Sequence, residues 1–80
     1  MKLWLYKHFK WNLYEALYVA RDSENNNEEF VVYKALYDHK EFWKDSIWIR
    51  PKKMFLETIE RDWKVMKRFE YIWDKKYKDL

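Results

Sequence analysis

The sequence predicts an all-β fold, on three observations. Apolar and polar residues alternate with a period of two in several short runs, those runs are rich in Val, Ile and aromatic residues, and polar turn formers separate them. Leu3–Lys10 alternates in part, with Leu3, Leu5 and Phe9 on one face and Tyr6, His8 and Lys10 on the other. Asn12–Arg21 follows, apolar on both faces, which marks a central strand. Asp22–Glu29 is a polar turn. Phe30–Tyr37 completes a hairpin of Leu13–Arg21 with Glu29–Tyr37.

The second half is read the same way. Asp38–Asp45 is a polar link, and Ser46–Arg50 is a short fourth strand. Pro51 cannot donate to a ladder, so the strand ends or bends there, and Pro51–Met54 suits a tight turn. Phe55–Glu60 is the fifth strand. The last twenty residues admit two readings. Trp63, Met66, Phe69, Trp73, Tyr77 and Leu80 form a stripe at helical spacing, but a turn at Asp62-Trp63 leaves a strand over Val65–Ile72 and then a short helix or tail. The strand is the preferred reading. There is no internal repeat and no low-complexity tract.

Eighty residues support one domain, residues 1–72, followed by a basic tail, 73–80. With no Cys there is no disulfide framework, no thiolate metal site and no cysteine nucleophile. The apolar start breaks at Lys7, unlike a signal peptide. The longest apolar run, Ala16–Ala20, is far short of a membrane span. A cytoplasmic protein with no membrane partner is expected. The net charge of +3 permits weak binding of anions or nucleic acid without requiring it.

The composition is anomalous in one respect. Average glycine usage of about 7% would put roughly five or six Gly in a chain of this length. There are none, and there are six Trp. Asp62-Trp63 sits where a two-residue hairpin turn favours Asp-Gly, and Trp11 stands at another turn. One explanation is a genuinely aromatic-rich or glycine-free protein. The other is that the codon UGA, Gly in some bacterial lineages and Trp in another variant code, underlies Trp4, Trp11, Trp43, Trp63 and Trp73.

Four motifs in order resemble a known family. Tyr6-x-His8-Phe9-Lys10-Trp11-Asn12-Leu13-Tyr14-Glu15 resembles a Tyr-x-His-[Phe/Tyr]-Lys-Gly-x-x-Tyr-x-Val signature. Val31-Val32-Tyr33-x-Ala35-Leu36-Tyr37 resembles Val-Val-Tyr-x-x-Leu-Tyr. Trp48-Ile49-Arg50-Pro51-x-x-Met54-Phe55 resembles Trp-Val-Arg-Pro-x-x-Met-Phe. Asp62-Trp63-Lys64 with Arg68-Phe69 resembles a following Asp-Gly-Lys and Arg-Phe. The chain is thus similar, over about residues 4–72, to the small bacterial domain-of-unknown-function family 1653. The family has Gly where this chain has Trp4, Trp11 and Trp63, whereas Trp48 is shared. The resemblance implies a small β-rich, barrel-like domain and no particular activity. Combined with the strand reading, it gives a strongly bent antiparallel sheet of five or six strands closing into an SH3-like barrel.

The chemistry-bearing residues point to binding. Tyr6, His8 and Lys10 share a strand face, and Arg50 and Arg68 offer bidentate donors to phosphate or carboxylate. Tyr14, Tyr33 and Trp48 offer aromatic walls for stacking. Alternatively, Arg50 and Arg68 are ordinary ion-pair partners of Glu15, Glu57 or Glu70. His8 lacks a nucleophile motif around it, so no enzyme is expected. His8 with His39 has no diagnostic metal spacing, and Asp22-x-Glu24-x-Asn26 departs from a calcium loop at its sixth and twelfth positions. No cofactor is expected. Lys75, Lys76 and Lys78 with Trp73 and Tyr77 suit a solvated tail better than an RNA contact. The expected function is a non-enzymatic module for an anionic ligand, peptide or nucleic acid. The alternative is an interaction domain docking on a protein through an aromatic surface.

Overall fold

The structure, a computed structural model, describes residues 1–38 and 41–73. Its elements are β1 (Trp4–His8), β2 (Leu13–Arg21), β3 (Glu29–Ala35), β4 (Ile47–Pro51), α1 (Lys52–Phe55), β5 (Thr58–Arg61), β6 (Lys64–Lys67) and β7 (Phe69–Trp73). Five strands form one antiparallel sheet in the order β4-β3-β2-β1-β7, and β5 pairs with β6 in a separate hairpin. The mostly-β expectation holds, and β2, apolar on both faces, lies at the centre of the sheet.

The sheet is open, so the expected barrel does not close. The chain leaves the ladder at Pro51, which lacks the N–H a continuing strand needs. One helical turn follows, with the Leu56 amide donating to the Lys52 carbonyl at 3.0 Å. This turn replaces the start of the strand expected over Phe55–Glu60, and β5 begins only at Thr58. It drops the fully buried Phe55 onto the concave face of the sheet. There Phe55 stacks on Phe69, with ring centroids 4.1 Å apart, and meets Tyr6 edge-on at 5.1 Å. Phe55 thus packs the helical turn against rings from β1, β3 and β7.

The strand expected over Val65–Ile72 is two strands that belong to different sheets, broken at Arg68. The Arg68 amide donates to the Glu57 carbonyl, and the Arg68 carbonyl accepts from the Phe9 amide, both at 3.0 Å. One residue thus ends the small hairpin and begins the large sheet. The helical stripe read from Trp63 onward is excluded as far as Trp73. The helix or tail expected beyond lies outside the described residues, as does His39.

Tyr6, Ala16, Val31, Tyr33, Phe55 and Phe69 form the buried core, with Tyr14, Trp48 and Tyr71 packed against it. Aromatic residues supply most of this interior because edge-to-face ring pairs fill a small core with few side chains. A bulge at Leu17, where Ala16 faces Tyr33 and Tyr18 faces Val32, bends β2. Five of the described residues have positive φ: Trp4 (102°), Trp11 (77°), Asp45 (71°), Asp62 (51°) and Trp63 (67°). No helix among the described residues is long and apolar enough to cross a membrane.

Candidate functional site

One cleft gathers most of the residues singled out from the sequence. It has a volume of about 420 Å³ and is lined by His8, Phe9, Lys10, Asn12, Tyr14, Tyr37, Arg50 and Arg68. His8 ends β1, and Tyr14 lies near the start of β2. Lys10 and Asn12 belong to the turn between those strands, which closes through His8 N–H to Asn12 O (2.8 Å) and Trp11 N–H to His8 O (2.7 Å). Arg50 comes from β4, at the far edge of the sheet, and Arg68 from the corner between the two sheets. The bend of the sheet brings these elements to one rim.

The cations differ in their surroundings. Arg68 is bound to Glu57 through Nε at 2.9 Å and through Nη2. Glu15, another partner considered from the sequence, pairs instead with Lys34 at 3.3 Å. Arg50 pairs with no carboxylate among the described residues. Its Nε donates to Tyr33 Oη at 3.3 Å, and its guanidinium carbon lies 5.5 Å from the Phe69 ring centroid. Tyr33 is therefore buried support for Arg50 and does not line the cleft.

His8 is uncharged at neutral pH. Burial, with Arg50, Arg68 and Lys10 adding like charge, lowers its pKa from 6.5 to about 4. Its Nδ1 accepts the Lys10 backbone N–H at 3.2 Å, which leaves the proton of the neutral ring on Nε2. Its ring meets Phe69 edge-on at 4.9 Å. Burial and the 2.7 Å hydrogen bond to Tyr37 raise the Tyr14 hydroxyl pKa, so that hydroxyl stays protonated. The cleft therefore combines neutral hydrogen-bonding groups with excess positive charge.

Besides Tyr33, two further expected site residues lie outside the cleft. Tyr6 is buried in the core, and its hydroxyl donates to the Lys2 carbonyl. Trp48 donates through Nε1 to Ser46 Oγ at 2.9 Å and packs against Phe42 and the core. Of the three residues grouped on one strand face, His8 and Lys10 reach the cleft, whereas Tyr6 is buried in the core. Phe9, Asn12 and Tyr37 join the cleft without having been singled out as site residues. Asn12 had a signal as a turn residue, and Phe9 and Tyr37 stand at matched positions of the motifs around Tyr6–Glu15 and Val31–Tyr37.

The described residues contain no group of three His, Cys, Asp or Glu able to hold a metal ion. The class these features define is a small antiparallel β-sheet domain with a basic, aromatic-walled cleft at one rim. Residues 4–71 match the family described as Protein of unknown function (DUF1653), and the chain belongs to that family. A crystal structure of a DUF1653 protein from Bordetella bronchiseptica is similar, with a TM-score of 0.79 and 28% identity over 92% of this chain and 90% of that one. No curated protein matches the chain.

Proposed function

We propose that the domain is a non-catalytic binding module that takes an anionic group, a phosphate or carboxylate, into the cleft between His8, Lys10, Arg50 and Arg68. The observation that carries this reading is Arg50. It is a half-buried guanidinium on the cleft wall, steadied by Tyr33 and Phe69, and no carboxylate among the described residues compensates its charge. Half-buried charge is costly to leave unpaired, and a planar fork of donors suits a phosphate or carboxylate oxygen pair. Lys10 and Arg68 add charge, Asn12 and Tyr37 add polar groups, and the Phe9 and Tyr14 rings can flank a planar part of the ligand. The volume is that of a site for a small molecule or one nucleotide.

The test is titration with inorganic phosphate and with a nucleoside monophosphate, followed by the amide and imidazole NMR signals of the cleft. Saturable shifts at His8, Lys10 and Asn12 that weaken steeply with salt support the proposal. Shifts spread over all surface lysines, with no saturation, overturn it. The second reading, docking on a protein, draws on the exposed Trp11 (77%), Trp43 (73%) and Trp63 (95%). Association through those rings would be nearly independent of salt.

A further inference from the structure

The three tryptophans with positive φ stand on backbone that a bulky side chain disfavours. Trp63 is the second central residue of the β5–β6 hairpin, whose flanking pair is Arg61 with Lys64. Asp62 and Trp63 both have positive φ, 51° and 67°, the geometry of a two-residue type I′ turn whose preferred sequence is Asp-Gly. Trp11 is the last of the three residues between His8 and Asn12. The His8 carbonyl accepts from the Trp11 amide and the His8 amide donates to the Asn12 carbonyl, which makes a three-residue hairpin loop ending in a left-handed residue, a position that favours Gly. Trp4, with φ of 102°, stands at the first residue of β1, where the chain enters the sheet.

Positive φ occurs at only a few per cent of non-Gly residues and is a true outlier for bulky ones, so three among six tryptophans by chance is about a one-in-two-thousand event. The other two positive-φ residues are aspartates, which tolerate that region. Side-chain packing does not compensate at the turns. Trp63 is 95% exposed, and Trp11 is 77% exposed, with the Lys7 ammonium 4.3 Å from its ring centroid. Trp48 is the opposite case. It has no positive φ, its indole N–H is bonded to Ser46, and its ring packs against Phe42 and the core. The chain has no glycine anywhere to occupy such positions.

We infer that the polypeptide made in its cell carries glycine at positions 4, 11 and 63, from UGA codons read there as glycine, and tryptophan at position 48. UGA is read as tryptophan under one variant code and as glycine under another, so a single choice of code converts every such glycine to tryptophan and touches nothing else. Trp43 and Trp73 lack positive φ, and their backbone does not enter the inference. The inference is independent of anion binding. It bears on the docking alternative, because two of the three exposed tryptophan rings on which that reading draws are then absent.

The experiment has two parts. Sequencing the gene is expected to show UGA at positions 4, 11 and 63 and UGG at position 48. Peptide mass spectrometry of the protein isolated from its own cells is expected to show glycine at the first three positions and tryptophan at the fourth. UGG at any of positions 4, 11 and 63, or tryptophan in the native peptide at any of them, overturns the inference. UGA at position 48 together with glycine in its peptide also overturns it, because the backbone would then not have distinguished the two kinds of site.

Discussion

Arg68 donates through both Nε and Nη2 to one oxygen of Glu57, Oε1, so the cleft's positive charge is partly offset on one side only. Glu57→Gln removes the carboxylate and keeps the shape. Anion affinity is expected to rise several-fold, as measured by calorimetric titration with phosphate, because Arg68 no longer shares its charge. Stability is expected to fall by about 1 kcal/mol or less, the range for a partly exposed pair. Weaker anion binding in this variant would mean that Arg68 needs Glu57 for positioning more than it gains from release.

Arg50 is the residue on which the proposed function depends most. Arg50→Lys keeps the charge but loses the fork and the stack on Phe69, and is expected to bind phosphate at least several-fold more weakly. Arg50→Gln removes the charge and is expected to reduce the slope of log affinity against log salt by about one. Thermal unfolding should move little in both. A large loss of melting temperature with unchanged affinity would reassign Arg50 to structure alone.

The His8 pKa makes a pH prediction with a definite sign. Folding holds the imidazole pKa near 4 against 6.5 in the unfolded chain, so the unfolded state binds the extra proton between those values. The contribution of His8 to stability is therefore complete above about pH 6.5 and is lost as the pH falls towards 4. His8→Gln should flatten that part of the stability profile in urea titrations. An anion in the cleft offsets Arg50, Arg68 and Lys10, so saturating phosphate should raise the His8 pKa as followed by NMR. A His8 pKa unmoved by phosphate would place the anion elsewhere.

Relief of the turn backbone can be measured on its own. Trp63→Gly and Trp11→Gly are each expected to stabilise the protein by about 1–2 kcal/mol, the cost of holding a residue with a Cβ in the left-handed region. For Trp11 the gain is reduced by the lost contact with Lys7, worth about 0.5–1 kcal/mol at an exposed site. Trp48→Gly should destabilise, since it removes a packed ring and the bond to Ser46. Chemical denaturation of the three variants distinguishes these outcomes by sign.

Phe55 holds the open sheet to its one-turn helix. Phe55→Ala is expected to cost about 3–5 kcal/mol, a large share of the stability of so small a domain. Loss of the near-ultraviolet circular dichroism of the ring cluster would report it.

The first four strands were legible because alternation and turn residues agree over Leu3–Arg50. The expected hairpin of Leu13–Arg21 with Glu29–Tyr37 appears as the β2–β3 ladder, Tyr14 facing Ala35 and Arg21 facing Glu29. The helical turn at Lys52–Phe55 was not legible as a helix, because four residues are too few to show a period. The break at Arg68 was hidden because Val65–Ile72 reads as one run, and only tertiary hydrogen bonds to Glu57 and Phe9 divide it. In the site, His8, Lys10, Arg50 and Arg68 were expected to line an anion site with Tyr14 as an aromatic wall, and the structure places all five on one cleft. Tyr6 and Trp48 carry the same types of ring but point their polar atoms at Lys2 and Ser46. Sequence cannot separate a ring that packs from a ring that binds.

The open edge at β4 has a consequence for how copies of the chain behave together. Among the described residues β3 is its only neighbour in the sheet, and its Ile47 and Ile49 are 56% and 64% exposed. A strand edge with unused hydrogen-bonding capacity beside branched apolar side chains is a template for strand addition between molecules. Only five residues long and stopped by Pro51, it offers a short, low-affinity start for such pairing. Concentrated solutions of the domain should therefore begin to self-associate at Ile47–Ile49, and a lysine at either isoleucine should delay the onset of aggregation without disturbing the cleft.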